Sequence, residues 1–193
     1  MQRICVFCGS SPGTRPEFTE ATEGFARLIV ERGMTLVYGG AKLGLMGVLA
    51  DTVLAEGGEA IGVIPSVLTR KEIVHEGLTK LHEVSSMHER KARMAELSDG
   101  FVSLPGGLGT WEETFEMLTW AQLGIHDKPC ALLNVSGYFT PVVDLFEHAL
   151  EEGFLRRPYH DMLIVETSGE TLLDRMASYE PPARHEWLSA HDA

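Results

Sequence analysis

The sequence predicts a single-domain α/β fold, a doubly wound and mostly parallel sheet with helices on both faces. Three observations predict it. Short apolar runs of strand length alternate with longer amphipathic stretches, the rhythm of βαβ units. Glycine-rich segments at 9–13, 39–47 and 105–109 each follow one of those runs, where strand-to-helix turns belong. The chain of 193 residues suits one domain and can bury roughly 70% of the surface its unfolded form exposes.

Each element follows from local pattern. Residues 4–8 read as the first strand. Residues 16–32 read as a helix that a proline starts and Gly33 ends. Residues 35–38 form a second strand running into Gly39-Gly40, 45–56 a helix closed by Gly57-Gly58, and 59–64 a third strand stopped by Pro65. Residues 66–84 carry a short helix or loop and then a short strand near 81–84. Ser86 reads as an N-cap with Glu89 three residues on, a capping box for a helix to about Leu97. Residues 100–104 give a strand, 110–123 a long helix, 129–134 a strand, 138–152 a helix, 162–165 a last strand and 168–178 a closing helix. About seven parallel strands result, a Rossmann-like arrangement filling residues 1–180, with 181–193 a flexible tail.

Composition narrows the function. The formal net charge is −12, which repels nucleic acid polymers, and no Lys/Arg-rich run offers a local exception. A small anion needs only a few aimed N–H groups and one or two cations. No apolar run is long enough to span a bilayer and the first residues lack a signal-peptide layout. Three cysteines cannot all pair within one chain, so reduced thiols and a cytoplasmic location are expected.

The segment Pro105-Gly106-Gly107-Leu108-Gly109-Thr110 lies between a predicted strand and a predicted helix. Its glycines let the backbone approach a ligand closely. The helix that follows starts with unpaired N–H groups and partial positive charge, which suit a phosphate, and the Thr110 hydroxyl can add a donor or cap the helix. A plain turn capped by threonine is the alternative. The segment is no Walker A loop, which ends Gly-Lys-Ser/Thr, and Glu112 stands where a dinucleotide fingerprint needs its third glycine. The Gly39-to-Gly44 spacing also fails Walker A, because Leu45 replaces the lysine. If the strands before the three glycine segments are neighbours, Gly9, Ser10, Gly39 and Gly40 share one crevice with this loop.

Glu112 and Glu113 fall in the first turn of the predicted helix, where acidic residues often only complement the dipole. They point about 100° apart, so one can face the crevice while the other faces solvent. Met87-His88-Glu89-Arg90-Lys91-Ala92-Arg93-Met94 puts Arg90 and Lys91 beside apolar positions of one helix. An exposed face with a Glu89–Arg93 pair is the simpler reading of that stretch. A guanidinium at the edge of the core could instead bond an anionic ligand in two places.

Met87-His88-x-Arg90-Lys91 followed by Pro105-Gly106-Gly107-x-Gly109-Thr110-x-x-Glu113 strongly resembles the LONELY GUY (LOG) family of cytokinin riboside 5′-monophosphate phosphoribohydrolases. Cys8-Gly9-Ser10-Ser11, Tyr38-Gly39-Gly40, Gly44-Leu45-Met46-Gly47, Gly62-Val63-Ile64-Pro65, Thr119-Trp120-Ala121-Gln122-Leu123-Gly124 and Asn134-x-x-Gly137-Tyr138 look like that family too. The resemblance covers roughly residues 4–165. It implies a Rossmann-like homodimer that takes a nucleoside 5′-monophosphate and releases an adenine-type base and ribose 5-phosphate, with no cofactor and no metal. It also implies that Arg90 and Glu113 are the catalytic pair. By the same resemblance Glu72, Arg90, Lys91, Gly107, Leu108, Gly109, Thr110, Trp111, Glu112, Glu113 and Thr119 contact substrate. General purine nucleotide salvage, or a nucleotide- or cofactor-binding carrier without turnover, are the alternatives. The family's older label, lysine decarboxylase, finds no support in a phosphate loop, which lysine does not need.

Other patterns carry less. Gly9-Ser10-Ser11-Pro12-Gly13 matches a nucleophile elbow, but Pro12 lacks the N–H an oxyanion hole needs, so Gly9 and Ser10 read as phosphate or ribose contacts. Cys5 and Cys8, three apart in a strand, face opposite sides, and the eight histidines lack ligand spacing. The helix carrying Trp111, Phe115 and Leu118 is apolar over most of its circumference, which predicts burial on more than one side.

Overall fold

The fold is seen in a computed structural model, which describes residues 1–69 and 73–182. Glu72 and the tail from 183 onward lie outside the described residues. The strands are β1 (Arg3–Phe7), β2 (Thr35–Tyr38), β3 (Ala60–Pro65), β4 (Lys80–Val84), β5 (Gly100–Ser103), β6 (Cys130–Leu133) and β7 (Leu163–Glu166). All pair in parallel, in the order β4-β3-β2-β1-β5-β6-β7. The order reverses between β1 and β5, the switch point where such sheets bind ligands beyond the carboxyl ends of their strands.

The helices are α1 (Pro16–Glu31), α2 (Gly44–Ala55), α3 (Ser66–Thr69), α4 (Met87–Leu97), α5 (Leu108–Gln122), α6 (Thr140–Glu151), α7 (Arg157–His160) and α8 (Gly169–Ala177). Side chains alternate along the strands and divide the core. Ile4, Val6, Leu36, Tyr38, Val102 and Leu104 face one side with α1, α2 and α8. Cys5, Phe7, Val37, Val63 and Phe101 face the other, with Met94 of α4 and Met117 and Leu118 of α5. Cys5 and Cys8 accordingly lie in different layers, each a free thiol. α1 buries Phe18, Thr22, Phe25, Ala26 and Ile29, an i, i+4, i+7, i+8, i+11 stripe, and Gly33 at φ 65° ends it. Among the described residues no helix is long and apolar enough to cross a membrane.

Several predicted boundaries move. β1 and β7 shift by one residue, and α6 begins at Thr140 after a 3₁₀ turn at Val135–Gly137. α7 was not expected. The capping box at α4 is displaced: the Ser86 side chain accepts from the Glu89 N–H at 3.1 Å, but the Glu89 carboxylate reaches the N–H and hydroxyl of Ser85. Arg93 pairs with Glu96 rather than Glu89.

The consequential shift is at α5. The helix begins at Leu108 with Gly107 as N-cap, so Thr110 is its third residue and does not cap it. Glu112 and Glu113 therefore sit in the second turn, not the first. Gly107 takes the extended N-cap conformation (φ −100°, ψ −153°) with no side-chain cap, and the helix starts two residues early.

Candidate active site

The three glycine segments do meet, because β2, β1 and β5 are adjacent. The Gly9 N–H donates to the Pro105 carbonyl at 3.0 Å, and the Met46 N–H to the Gly9 carbonyl at 3.3 Å. Contact is close enough to demand glycine. A Cβ on Gly9 would lie 2.9 Å from the Ser11 carbonyl oxygen and 3.2 Å from the Gly106 Cα, and one on Gly106 2.8 Å from the Gly9 nitrogen. Residues 9–13, Phe18, Leu45, 105–107 and Tyr138 enclose a cavity of about 240 Å³ at this seam. Ser10 stands exposed at it. The N–H groups of Leu108, Gly109 and Thr110 open α5 without intrahelical acceptors, so the turn offers the donor cluster that an anion requires.

Beside that turn α4 and α5 are joined by two sets of ion pairs. Arg90 is 8% exposed and Glu113 7%. The Arg90 Nη1 donates to Glu113 Oε1 at 2.5 Å, and its Nε donates to the Val63 carbonyl at 3.1 Å. The guanidinium also lies against Gly39, where a Cβ would collide with Nη2. Gly39 thus makes room for Arg90, and Gly40 at φ 76° turns the chain away. Lys91, 4% exposed, donates to Glu112 and pairs with Glu116 at 2.9 Å.

These surroundings shift the charges. Burial pushes the Glu113 carboxyl above the ordinary glutamate range, and Arg90 offsets this only in part. Burial alone would lower the Lys91 ammonium, but the bonds to Glu112 and Glu116 outweigh it and raise it. Glu113, not Glu112, is the carboxylate turned inward. The 100° step between them puts Glu113 under Arg90 and leaves the Glu112 side chain 54% exposed.

Other predicted residues fall into place unevenly. Gly107, Gly109 and Leu108 are exposed around the turn, Leu108 at 79%. The buried Thr110 side chain packs on Gly106, and Trp111 is half-exposed. Thr119 is not brought to the turn. It lies about 13 Å along α5 from Thr110 by helical rise, its hydroxyl bonded to the Phe115 carbonyl. Sequence reasoning missed three participants: the Val63 carbonyl that anchors Arg90; Ser103, whose hydroxyl meets that of Thr114 at 2.6 Å beneath α5; and Tyr138, whose hydroxyl bonds the Gly106 carbonyl. Only Tyr138 had a signal, an aromatic residue straight after a glycine turn following a strand. Among the described residues no three His, Cys, Asp or Glu side chains are grouped as a metal site requires.

A doubly wound sheet with a glycine turn at its switch point, and a buried arginine–glutamate pair beside it, defines a Rossmann-like protein with a turn suited to a small anion. Comparison with known proteins makes this specific. Residues 46–176 match the family described as "Possible lysine decarboxylase". The chain is 50% identical over 163 residues to the cytokinin riboside 5′-monophosphate phosphoribohydrolase of Rhodococcoides fascians, covering 84% of this chain and 82% of that protein. It is 44% identical over 189 residues to the cytokinin riboside 5′-monophosphate phosphoribohydrolase LOG1 of Arabidopsis thaliana, covering 98% and 88%. This chain belongs to the LOG family of cytokinin riboside 5′-monophosphate phosphoribohydrolases. The fold is shared more widely. The molybdenum cofactor carrier protein of Chlamydomonas reinhardtii superposes with a TM-score of 0.69 at 20% identity, over 92% of this chain and 99% of that one.

Proposed function

We propose that this protein hydrolyses the N-glycosidic bond of adenine-type nucleoside 5′-monophosphates, releasing the free base and ribose 5-phosphate. The buried Arg90–Glu113 pair beside the glycine turn carries the reading. Cleavage builds positive charge on the ribose ring, as in O-glycoside hydrolysis. A carboxylate facing that ring offsets the charge and orients the attacking water, and Glu113 has the burial to do so strongly. Water adds its oxygen to C1′, the bond from C1′ to the base nitrogen breaks, and the base leaves with a proton. Arg90 holds the substrate and stabilises the departing base. An arginine rarely gives up its proton, so its role is positioning and electrostatic. The 5′-phosphate on the N–H groups of 108–110 fixes the ribose, and that remote binding is expressed in the transition state.

Two features support the reading over a passive carrier. A binder of anions gains nothing from a buried carboxylate beside its phosphate site, and relatives at 42–50% identity bear the name of a phosphoribohydrolase. The preferred base is tested directly. Purified protein is incubated with AMP, with an N6-prenylated AMP and with adenosine, and free base is measured. Release from either monophosphate with little from adenosine is expected. No free base from either monophosphate rules out hydrolysis.

The active form is proposed to be a homodimer in a reducing, cytoplasmic setting. α6 has no buried residue although Val142, Val143, Leu145, Phe146 and Leu150 are apolar, and Leu123 and Ile125 beyond α5 are each 63% exposed. A second copy would cover this face. Sedimentation at micromolar concentration should give twice the chain mass, and a monomer there would remove the dimer.

A further inference from the structure

Three consecutive backbone carbonyls lead into α5, and each is turned onto a protein donor. The Pro105 carbonyl accepts from the Gly9 N–H at 3.0 Å and the Gly107 carbonyl from the Trp111 N–H at 3.1 Å. The Gly106 carbonyl accepts from the Tyr138 hydroxyl. The outer two bonds belong to the backbone; the middle one alone depends on a side chain. It matters electrostatically. A carbonyl oxygen aimed at a phosphoryl group repels it, and in a trans peptide the C=O and the following N–H point in opposite directions. Holding the Gly106 oxygen on Tyr138 turns the Gly107 N–H the other way, in line with the free donors at the start of α5.

The loop before α6 is shaped to present that hydroxyl. Ser136 and Gly137 adopt successive left-handed conformations, φ 49° and 75°, and Ser136 is the one non-glycine residue with positive φ among those described. The Asn134 carboxamide closes the turn, its Oδ1 accepting from the Phe139 N–H at 2.7 Å. The Tyr138 ring is held edge-on by Phe18 and Phe139, at centroid distances of 5.7 and 5.0 Å. A ring held on two sides has few places to put its oxygen.

We propose that Tyr138 is a positioning residue for phosphate recognition: its hydroxyl keeps the Gly106 carbonyl out of the anion's way and so orients the N–H groups of 107–110. This rests on reading that turn as the phosphate site. Tyr138→Phe keeps the ring and its packing but removes the hydrogen bond. Its dissociation constant for ribose 5-phosphate, measured by calorimetry, should rise about three- to tenfold, the range of one net hydrogen bond. The kcat/KM for AMP should fall by the same factor, while the residual rate on adenosine, which has no phosphate, stays within twofold. Phe25→Leu loosens the buried face of α1 away from the turn and its cavity; it should lower the melting temperature yet leave ribose 5-phosphate affinity within twofold. Unchanged affinity in Tyr138→Phe, or equal losses in the two variants, overturns the proposal. Should the wild type release no base from any monophosphate yet bind ribose 5-phosphate in a Tyr138-dependent way, the hydrolase reading fails and this one stands.

Discussion

Two charged bridges join α4 to α5, one residue apart on each helix, and they differ in their access to water. In the inner bridge both Arg90 and Glu113 side chains are 10% exposed. In the outer bridge Lys91 is equally enclosed, but its partners Glu112 and Glu116 are 54% and 22% exposed. The outer carboxylates can turn to solvent if their partner is lost. Glu113 cannot, and the field it shares with Arg90 acts at short range in a poorly screened place. Similar residue types therefore sit in different surroundings: the outer bridge is open to water on its acidic side, and the inner one holds the charge for which a catalytic role is proposed. Burial raises the Glu113 carboxyl beside a specific cation, a pattern that supports the catalytic role proposed for the pair.

The largest expected effect separates neighbours on α5. Glu113→Gln keeps shape and hydrogen-bonding capacity but removes the charge. It should lower kcat on AMP by about 10²–10⁴-fold, the range of a general base or charge stabiliser. Glu112→Gln removes a half-exposed charge of the outer bridge and should change kcat less than about fivefold. Equal losses in steady-state assays of both variants would erase the distinction between the bridges.

The acid side of the pH profile probes the same contrast. If Glu113 works as a carboxylate, activity falls as it takes up a proton, and burial places that fall above the ordinary glutamate range. Arg90 favours the charged form. Arg90→Met should therefore shift the acid limb of kcat/KM to higher pH, whereas Arg90→Lys, which keeps a cation, should shift it less. Stability should follow with the sign that linkage requires. In Arg90→Met the folded protein binds the Glu113 proton at a higher pH than the unfolded chain does. The loss of stability should then be small in mildly acidic buffer and grow as pH rises through the raised folded value, towards about 3–5 kcal/mol for an orphaned buried charge. A deficit independent of pH in urea titrations would show that Glu113 does not feel Arg90.

Much of this was legible in the sequence, and the misses share a cause. The strands were readable because each is an apolar run closed by glycine or proline, and their ends moved by a residue where the last side chain is decided by a neighbour. The glycine turn was readable from its residues. Its threonine was misread as a possible cap, because nothing in Gly107-Leu108-Gly109 announces that Gly107 itself takes the capping conformation. That offset of two residues puts Glu112 and Glu113 in the second turn. The pair is separated by 23 residues, and Tyr138 is 32 from Gly106. Such contacts depend on which strands are neighbours, and local periodicity is silent about that. The two glutamates on Lys91 are an exception: Glu112 and Glu116 stand at i, i+4 on one helix, spaced to hold one cation.

The smallest effect belongs to the outer bridge. Lys91→Met exchanges the ammonium for an apolar end of similar length, so the buried stem still packs. It strands two carboxylates, but Glu112 is more than half exposed and Glu116 lies nearer the surface than Glu113. Discounted for that access to solvent, destabilisation of about 1–2 kcal/mol is expected, well below that of Arg90→Met and with no growth towards alkaline pH. Moderate salt should narrow the deficit further, because screening relieves the repulsion between the freed glutamates. Chemical denaturation at two salt concentrations measures this. A salt-independent loss as large as that of Arg90→Met would mean that Lys91, like Arg90, compensates a charge that water cannot reach.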